Sequence, residues 1–258
     1  MQRLRIRYAK RGRLRFASHR DFSRAFERAL VRAGIPMAYS SGFTRHPRIS
    51  YAGAAPTGAA SEAEYLEIGL AREADPEDVR RRLDESLPPG LDVLDVVVAL
   101  PGRSGLADRL TGSRWRLRLP EVTPAAAAAA VERFLVAEEV SVSRTTKRGE
   151  RTFDCRSAVV SLTVDSTDET ANETADETAA ATGPGADVPA GEGACAILDL
   201  VLRHGTPSVR PDDVLAGLRE TSGLEHTGSA LAERVAQGPL DERSGTVGDP
   251  LAPDRDAV

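Results

Sequence analysis

The 258-residue sequence predicts an α+β protein of two tandem ferredoxin-like units, each ordered β-α-β-β-α-β, with a disordered acidic insertion and a flexible tail. Three observations carry that prediction. "LRIRY" (residues 4–8) and "RWRLRLP" (114–120) both alternate apolar residues with arginine at the two-residue period of a half-buried strand. "EYLEIGLAREADPEDVRRRL" and "AILDLVLRHGTPSVRPDDVLAGL" repeat one pattern, a strand followed by a helix that opens on Pro-Asp/Glu-Asp-Val. Residues 166–194 carry acids, no base and almost no large apolar side chain, too little to offset the entropy of ordering.

The first unit, residues 1–101, starts with the strand over "LRIRY", one face apolar and the other arginine. Ser18 and Asp21 form a capping-box variant ahead of Phe22, Phe26, Ala29, Leu30 and Ala33, which predicts a helix from about His19 to Ala33, stopped by Gly34. "IPMAYS" is expected as a short second strand and "EYLEIGL" as the third, joined by a long loop over residues 40–64. Asp75 and Pro76 then cap a second helix, and "LDVLDVVVAL" supplies the last strand. The second unit, residues 113–225, repeats this with "RWRLRLP", an Ala-rich helix from Thr123-Pro124, strands around a "TTKRGER" hairpin, and the 196–218 strand and helix. It lacks an evident last strand. Residues 226–258 read as a flexible tail containing one short helix at "SALAERVA".

Composition narrows function. Two cysteines forty residues apart, no basic-apolar leader and no apolar run near eighteen residues exclude disulfide frameworks, zinc ribbons and membrane spans, and predict a cytoplasmic protein. His19, His46, His204 and His226 are scattered, so neither a metal nor any other cofactor is expected. The net charge of −5 conceals an asymmetry: residues 1–56 hold thirteen Lys and Arg against two acids. A field so concentrated favours a polyanion, most often nucleic acid.

Candidate site residues follow. The 40–64 loop contains Arg45, His46 and Arg48 beside Phe43 and Tyr51, and its small residues admit a ligand close to the backbone. His19 and Arg20 sit in the first turn of the first helix, whose free N–H groups welcome an anion. Arg5 and Arg7 offer a charged strand face. These predict one anion site in which His46 and Arg48, held by packed Phe43 and Tyr51, meet His19 and Arg20, with Arg45, Arg5 and Arg7 as further anion- or RNA-binding residues and His19 and His46 as the pair available for proton transfer.

The segment from Leu14 through "FASHRDFSRAFERALVRAGIPMAYSSGFTRHPRISYAGAAPTGAASEAEYLEIGL" resembles a radical-SAM-associated domain family of unknown function, found as the C-terminal part of cobalamin-binding radical SAM proteins and, in other bacteria, as a separate chain. The motifs that carry the resemblance are the Ser-His-x-Asp helix start, Ser-x-Gly-Phe with His46-Pro47, and Ser61-Glu62 through Tyr65-Leu66. It implies a radical SAM enzyme as partner. The chain itself lacks the three-cysteine CxxxCxxC spacing of a radical SAM catalyst, and no Walker, GxGxxG or GxSxG motif is present. Three functions stay open: an accessory module that holds RNA or another anionic substrate for a radical SAM enzyme, a metal-independent RNA-processing enzyme using His19 and His46, and a protein–protein adaptor.

Overall fold

A computed structural model describes residues 1–146, 149–165, 194–225 and 230–255. The acidic stretch from 166 to 193, expected as a disordered insertion, lies outside the described residues. The elements in chain order are β1 (Gln2–Lys10), α1 (His19–Arg32), β2 (Ile49–Ala52), β3 (Ala60–Leu70), α2 (Pro76–Asp84), β4 (Leu91–Val98), β5 (Gly112–Pro120), α3 (Pro124–Val136), β6 (Ser141–Thr146), β7 (Gly149–Asp154), β8 (Val159–Asp165), β9 (Cys195–Arg203), α4 (Pro211–Ser222), β10 (Leu231–Gly238), β11 (Leu240–Asp241), β12 (Thr246–Val247) and α5 (Ala252–Arg255). A 3-10 turn at Gly12–Phe16 links β1 to α1.

One mixed sheet runs through the molecule in the order β4-β1-β3-β10-β5-β9-β8, with β2 on the edge of β3. The first half contributes β4-β1-β3-β2, all antiparallel. The second half has the corresponding order β10-β5-β9-β8, also antiparallel, with the β6–β7 hairpin beside it. The halves are fused: β10 pairs in parallel with β3 at Ala60 and Ser61, on the same edge that β2 occupies further along.

Local chemistry explains most elements. Ser18 Oγ accepts from the Asp21 N–H, and Asp75 accepts from the Glu77 and Asp78 N–H groups, satisfying first-turn donors of α1 and α2. Phe22, Phe26 and Leu30 of α1 and Val79 and Leu83 of α2 pack on Leu4, Ile6, Leu66 and Ile68. Leu117, Leu119, Leu198 and Leu200 meet Ala130, Phe134, Val214 and Leu218 from α3 and α4 in a second core. Burying a Leu or Phe contributes about 1.5–3 kcal/mol, so each half carries its own driving force.

Three expectations are corrected. The second strand is Ile49–Ala52, inside the long loop, whereas "IPMAYS" makes only isolated bridges at Met37 and Tyr39. Ile49 and Tyr51 suit a strand edge, and Pro47 stays outside it. The tail is built into the fold: "SALAERVA", expected as a helix, contributes β10 to the middle of the sheet. Its Ala, Leu, Glu and Arg favour a helix, but the open edges of β3 and β5 both offer strand hydrogen bonds and override that preference. The missing last strand of the second half is therefore found in the segment assigned to the tail.

The third concerns the arginine face of β1. Arg5 is only 3% exposed. Val97, Leu106, Leu110 and Leu251 form a third apolar cluster on that side, which is covered by the 99–111 connection and α5. Arg5 donates to Glu67 and Asp254, and Arg109 donates to Asp254 from the connection. Arg7 donates to the Glu62 carbonyl at 2.8 Å. The alternation marks the strand correctly; a segment about 250 residues away hides its polar face.

Candidate nucleic-acid interface

With Arg5 buried, Arg7 half-buried and the exposed Arg3 paired with Glu67, the unpaired exposed cations lie elsewhere. The 3-10 turn and α1 form one continuous stretch, and its outer surface presents Arg13, Arg20, Arg24 and Arg28. Arg20, Arg24 and Arg28 are four residues apart, so they align along one side of the helix at a rise of about 6 Å per step. None of the four makes an ion pair among the described residues, whereas Arg5, Arg11, Arg80, Arg114 and Arg144 all do. Glu27 is the acid placed among them; Asp21 is occupied by Ser18. Phe16, 59% exposed, lies at the head of the row with the Arg15 guanidinium 4.8 Å from its ring centroid.

The residues predicted to form one anion site are divided. His19 packs edge-on against Tyr51, with centroids 4.8 Å apart, and the Ser23 hydroxyl donates to the His19 carbonyl. His46 is exposed, its N–H donating to Ser40 Oγ and its carbonyl accepting from the Ser40 N–H. Arg45 is exposed, and Phe43, expected to pack beneath these residues, is fully exposed. Arg48 lies against Gly69 and donates to Met1 Sδ at 3.7 Å. Among the described residues no hydrogen bond, ion pair or ring contact joins His46 or Arg48 to His19 or Arg20. His46 precedes Tyr51 by five residues, about 16 Å of extended chain. Arg20 therefore belongs with the helix surface, and Arg45 and His46 with a separate exposed loop tip.

Between the two cores runs a buried polar seam that the sequence does not disclose. Lys10, Ser61, Arg234 and Trp115 occupy adjoining register positions on four neighbouring strands. Arg234 donates to Glu64, to Gln237 Oε1, to the Gly53 carbonyl at 2.7 Å and to Ser61 Oγ at 3.3 Å. Its guanidinium lies 5.5 Å from the Trp115 ring centroid. His204 sits at the end of the seam. Because a carbonyl only accepts, His204 Nδ1 carries the proton given to Leu110 O at 2.8 Å, and Nε2 accepts from Ser113 Oγ at 2.9 Å. Ser113 Oγ in turn accepts from Trp115 Nε1.

Burial lowers the pKa of His204, an effect the Leu110 hydrogen bond opposes and nearby Arg234 reinforces. Burial also lowers that of Lys10 against the pull of Glu64, and raises that of Tyr8 with help from Glu64. Gly53 is the one signal in the sequence that points here. Its φ is +56°, and a Cβ on it would collide with Gln237 Nε2.

Among the described residues no group of three His, Cys, Asp or Glu side chains is placed to hold a metal ion, and both cysteines are free. Among the described residues no helix is long and apolar enough to cross a membrane. A family model described as "Uncharacterized protein conserved in bacteria (DUF2344)" matches residues 3–211. A search of curated proteins found no match.

Proposed function

The chain belongs to this family of proteins conserved in bacteria, and we propose that it is a non-catalytic accessory module that binds RNA through the outer face of α1 and the 3-10 turn before it. The observation that carries the reading is the row of exposed arginines without carboxylate partners, with Arg20, Arg24 and Arg28 repeating at four-residue spacing along one side of a single helix. Unpaired cations along a rigid helix, with an exposed aromatic ring at one end, are the chemistry that tracks a single-stranded backbone and stacks a base. The enzyme it serves is, on the resemblance that is strongest over residues 3–100, a radical SAM protein. An RNA-processing role for His19 and His46 would require both to reach one reacting atom, and they have separate partners.

Anisotropy with a labelled single-stranded RNA tests the proposal. Binding is expected to weaken steeply with salt, and Arg24→Glu with Arg28→Glu to reduce the log–log salt slope by about 1.4, at about 0.7 for each phosphate no longer neutralised. Both side chains are exposed, so the melting temperature should hold. Equal binding by the double variant overturns the reading. Salt-sensitive capture of a protein, with no RNA bound, would favour the adaptor.

A further inference from the structure

A cleft of about 490 Å³ opens beside that basic surface, between the 3-10 turn, the 53–59 loop, the first turns of α4 and the start of β10. Its floor is apolar: Leu215, Ala216, Ala230, Leu231 and Ala232. Leu231 is 38% exposed there, a large aliphatic side chain that the fold leaves uncovered. One wall is Arg15 stacked on Phe16, with Arg15 Nε buried and lacking a hydrogen-bond partner. Arg219 from α4 also lines the cleft, and Arg210 lies in a second cleft, which shares Pro56 and Pro211 with the first. Arg15, Arg210 and Arg219 make no ion pair among the described residues, and Asp212 is the one acid on the main cleft's lining.

We propose that this cleft is a binding site for a nucleoside monophosphate unit, the base lying on the apolar floor beside Phe16 and the phosphate meeting Arg15 and Arg219. An apolar floor selects a flat, weakly hydrated body, and unpaired guanidiniums select an anionic group attached to it. Neither alone accounts for both halves of the lining. The volume falls within the range of small-molecule sites. The inference rests on the RNA reading in one respect: Arg15 and Phe16 border both surfaces, so a strand on α1 would have one nucleotide seated here.

The test uses the full chain and the four nucleoside monophosphates, with the matching nucleosides and inorganic phosphate as separate probes. Trp115, the sole tryptophan, lines the adjoining cleft, so its emission reports occupancy; equilibrium dialysis provides a readout independent of it. At least one monophosphate is expected to bind saturably below about 1 mM, a modest affinity. Nucleoside or phosphate alone should bind at least about tenfold more weakly, Arg219→Ala should weaken binding about tenfold, and Ala216→Phe should abolish it by filling the floor. Arg219 is exposed, so its variant keeps the test valid if Ala216→Phe fails to fold. No saturation for any monophosphate, unchanged binding in Arg219→Ala, or equal binding of phosphate alone overturns the site. Arg24→Glu with Arg28→Glu should lose RNA while keeping the monophosphate. RNA binding without monophosphate binding removes the cleft alone; monophosphate binding without RNA binding removes the α1 reading alone.

Discussion

Replacing Asp254 with Asn should unfold the protein at markedly lower temperature, although the residue lies four positions from the last in the sequence. Its side chain is fully buried; its oxygens accept from Arg5 and twice from Arg109, and from the Leu100 N–H at 3.2 Å. Asn keeps the shape but removes the charge and turns one acceptor into a donor facing arginines. Arg5 retains Glu67 at 3.1 Å, whereas Arg109 is left with the Pro250 carbonyl and the Ser104 hydroxyl and no carboxylate. One buried cation is thus uncompensated, which places the loss at the lower end of the range for a broken buried pair, about 3 kcal/mol.

For a chain of this size that is a drop in melting temperature of roughly 6–12 °C by calorimetry at pH 7. The pH dependence has a sign. Burial raises the Asp254 pKa, but the hydrogen bonds from Arg109, Leu100 and Arg5 outweigh it and hold the carboxyl below its ordinary value. A depressed carboxyl pKa stabilises the fold above the unfolded value of about 3.9 and ceases to do so as the pH falls below it, so wild type and variant should converge in acid. A loss under about 1 kcal/mol, or a gap unchanged down to about pH 3, would refute the claim that α5 locks the arginine side of β1.

Gly53→Ala should cost about 1–3 kcal/mol in denaturant unfolding, because it combines a left-handed φ with a collision against Gln237, whose amide is held by Arg234. A neutral result would mean that the seam is loosely packed. His204→Gln should destabilise by about 1–2 kcal/mol at about pH 7.5 through its two lost hydrogen bonds, and the difference from wild type should shrink as the pH falls. The reason is that a depressed histidine pKa stabilises above the unfolded value of about 6.5 and is lost below it; a gap that widens in acid would contradict the neutral ring.

What is legible in the sequence is local. Ser18 with Asp21 and Asp75 with Pro76 announce helix starts through chemistry confined to one turn, and the alternation of Leu4, Ile6 and Tyr8 announces a strand with one face in the core. The opposite face misleads because the partners of Arg5, Glu67 and Asp254, lie 62 and 249 residues away. An alternating strand gives no sign of whether its polar side meets water or another segment. β10 misleads for a related reason: its composition suits a helix, and only the two strand edges it joins decide otherwise. For the candidate site, the cationic character of residues 1–56 is evident from the sequence, but which arginines are neutralised is not. Arg5 and Arg20 look equivalent on paper, and only one of them is free to meet a ligand.

β10 also sets a clock on synthesis. The β5 edge that it covers is complete at Pro120, and the strand that covers it spans Leu231–Gly238, so about 110 residues must be translated in between. At about 5–20 residues per second the nascent chain carries that edge uncapped for about 5–20 s, and the Ala60–Ser61 end of β3 for longer. An uncapped edge is a template for any other extended chain, so this interval is when a crowded polysome is most exposed to mispairing. Of the neighbouring side chains, Arg114, Arg116 and Arg118 on β5 are well suited to that hazard: three like charges on alternate residues repel a second nascent copy of the same strand until the correct one arrives.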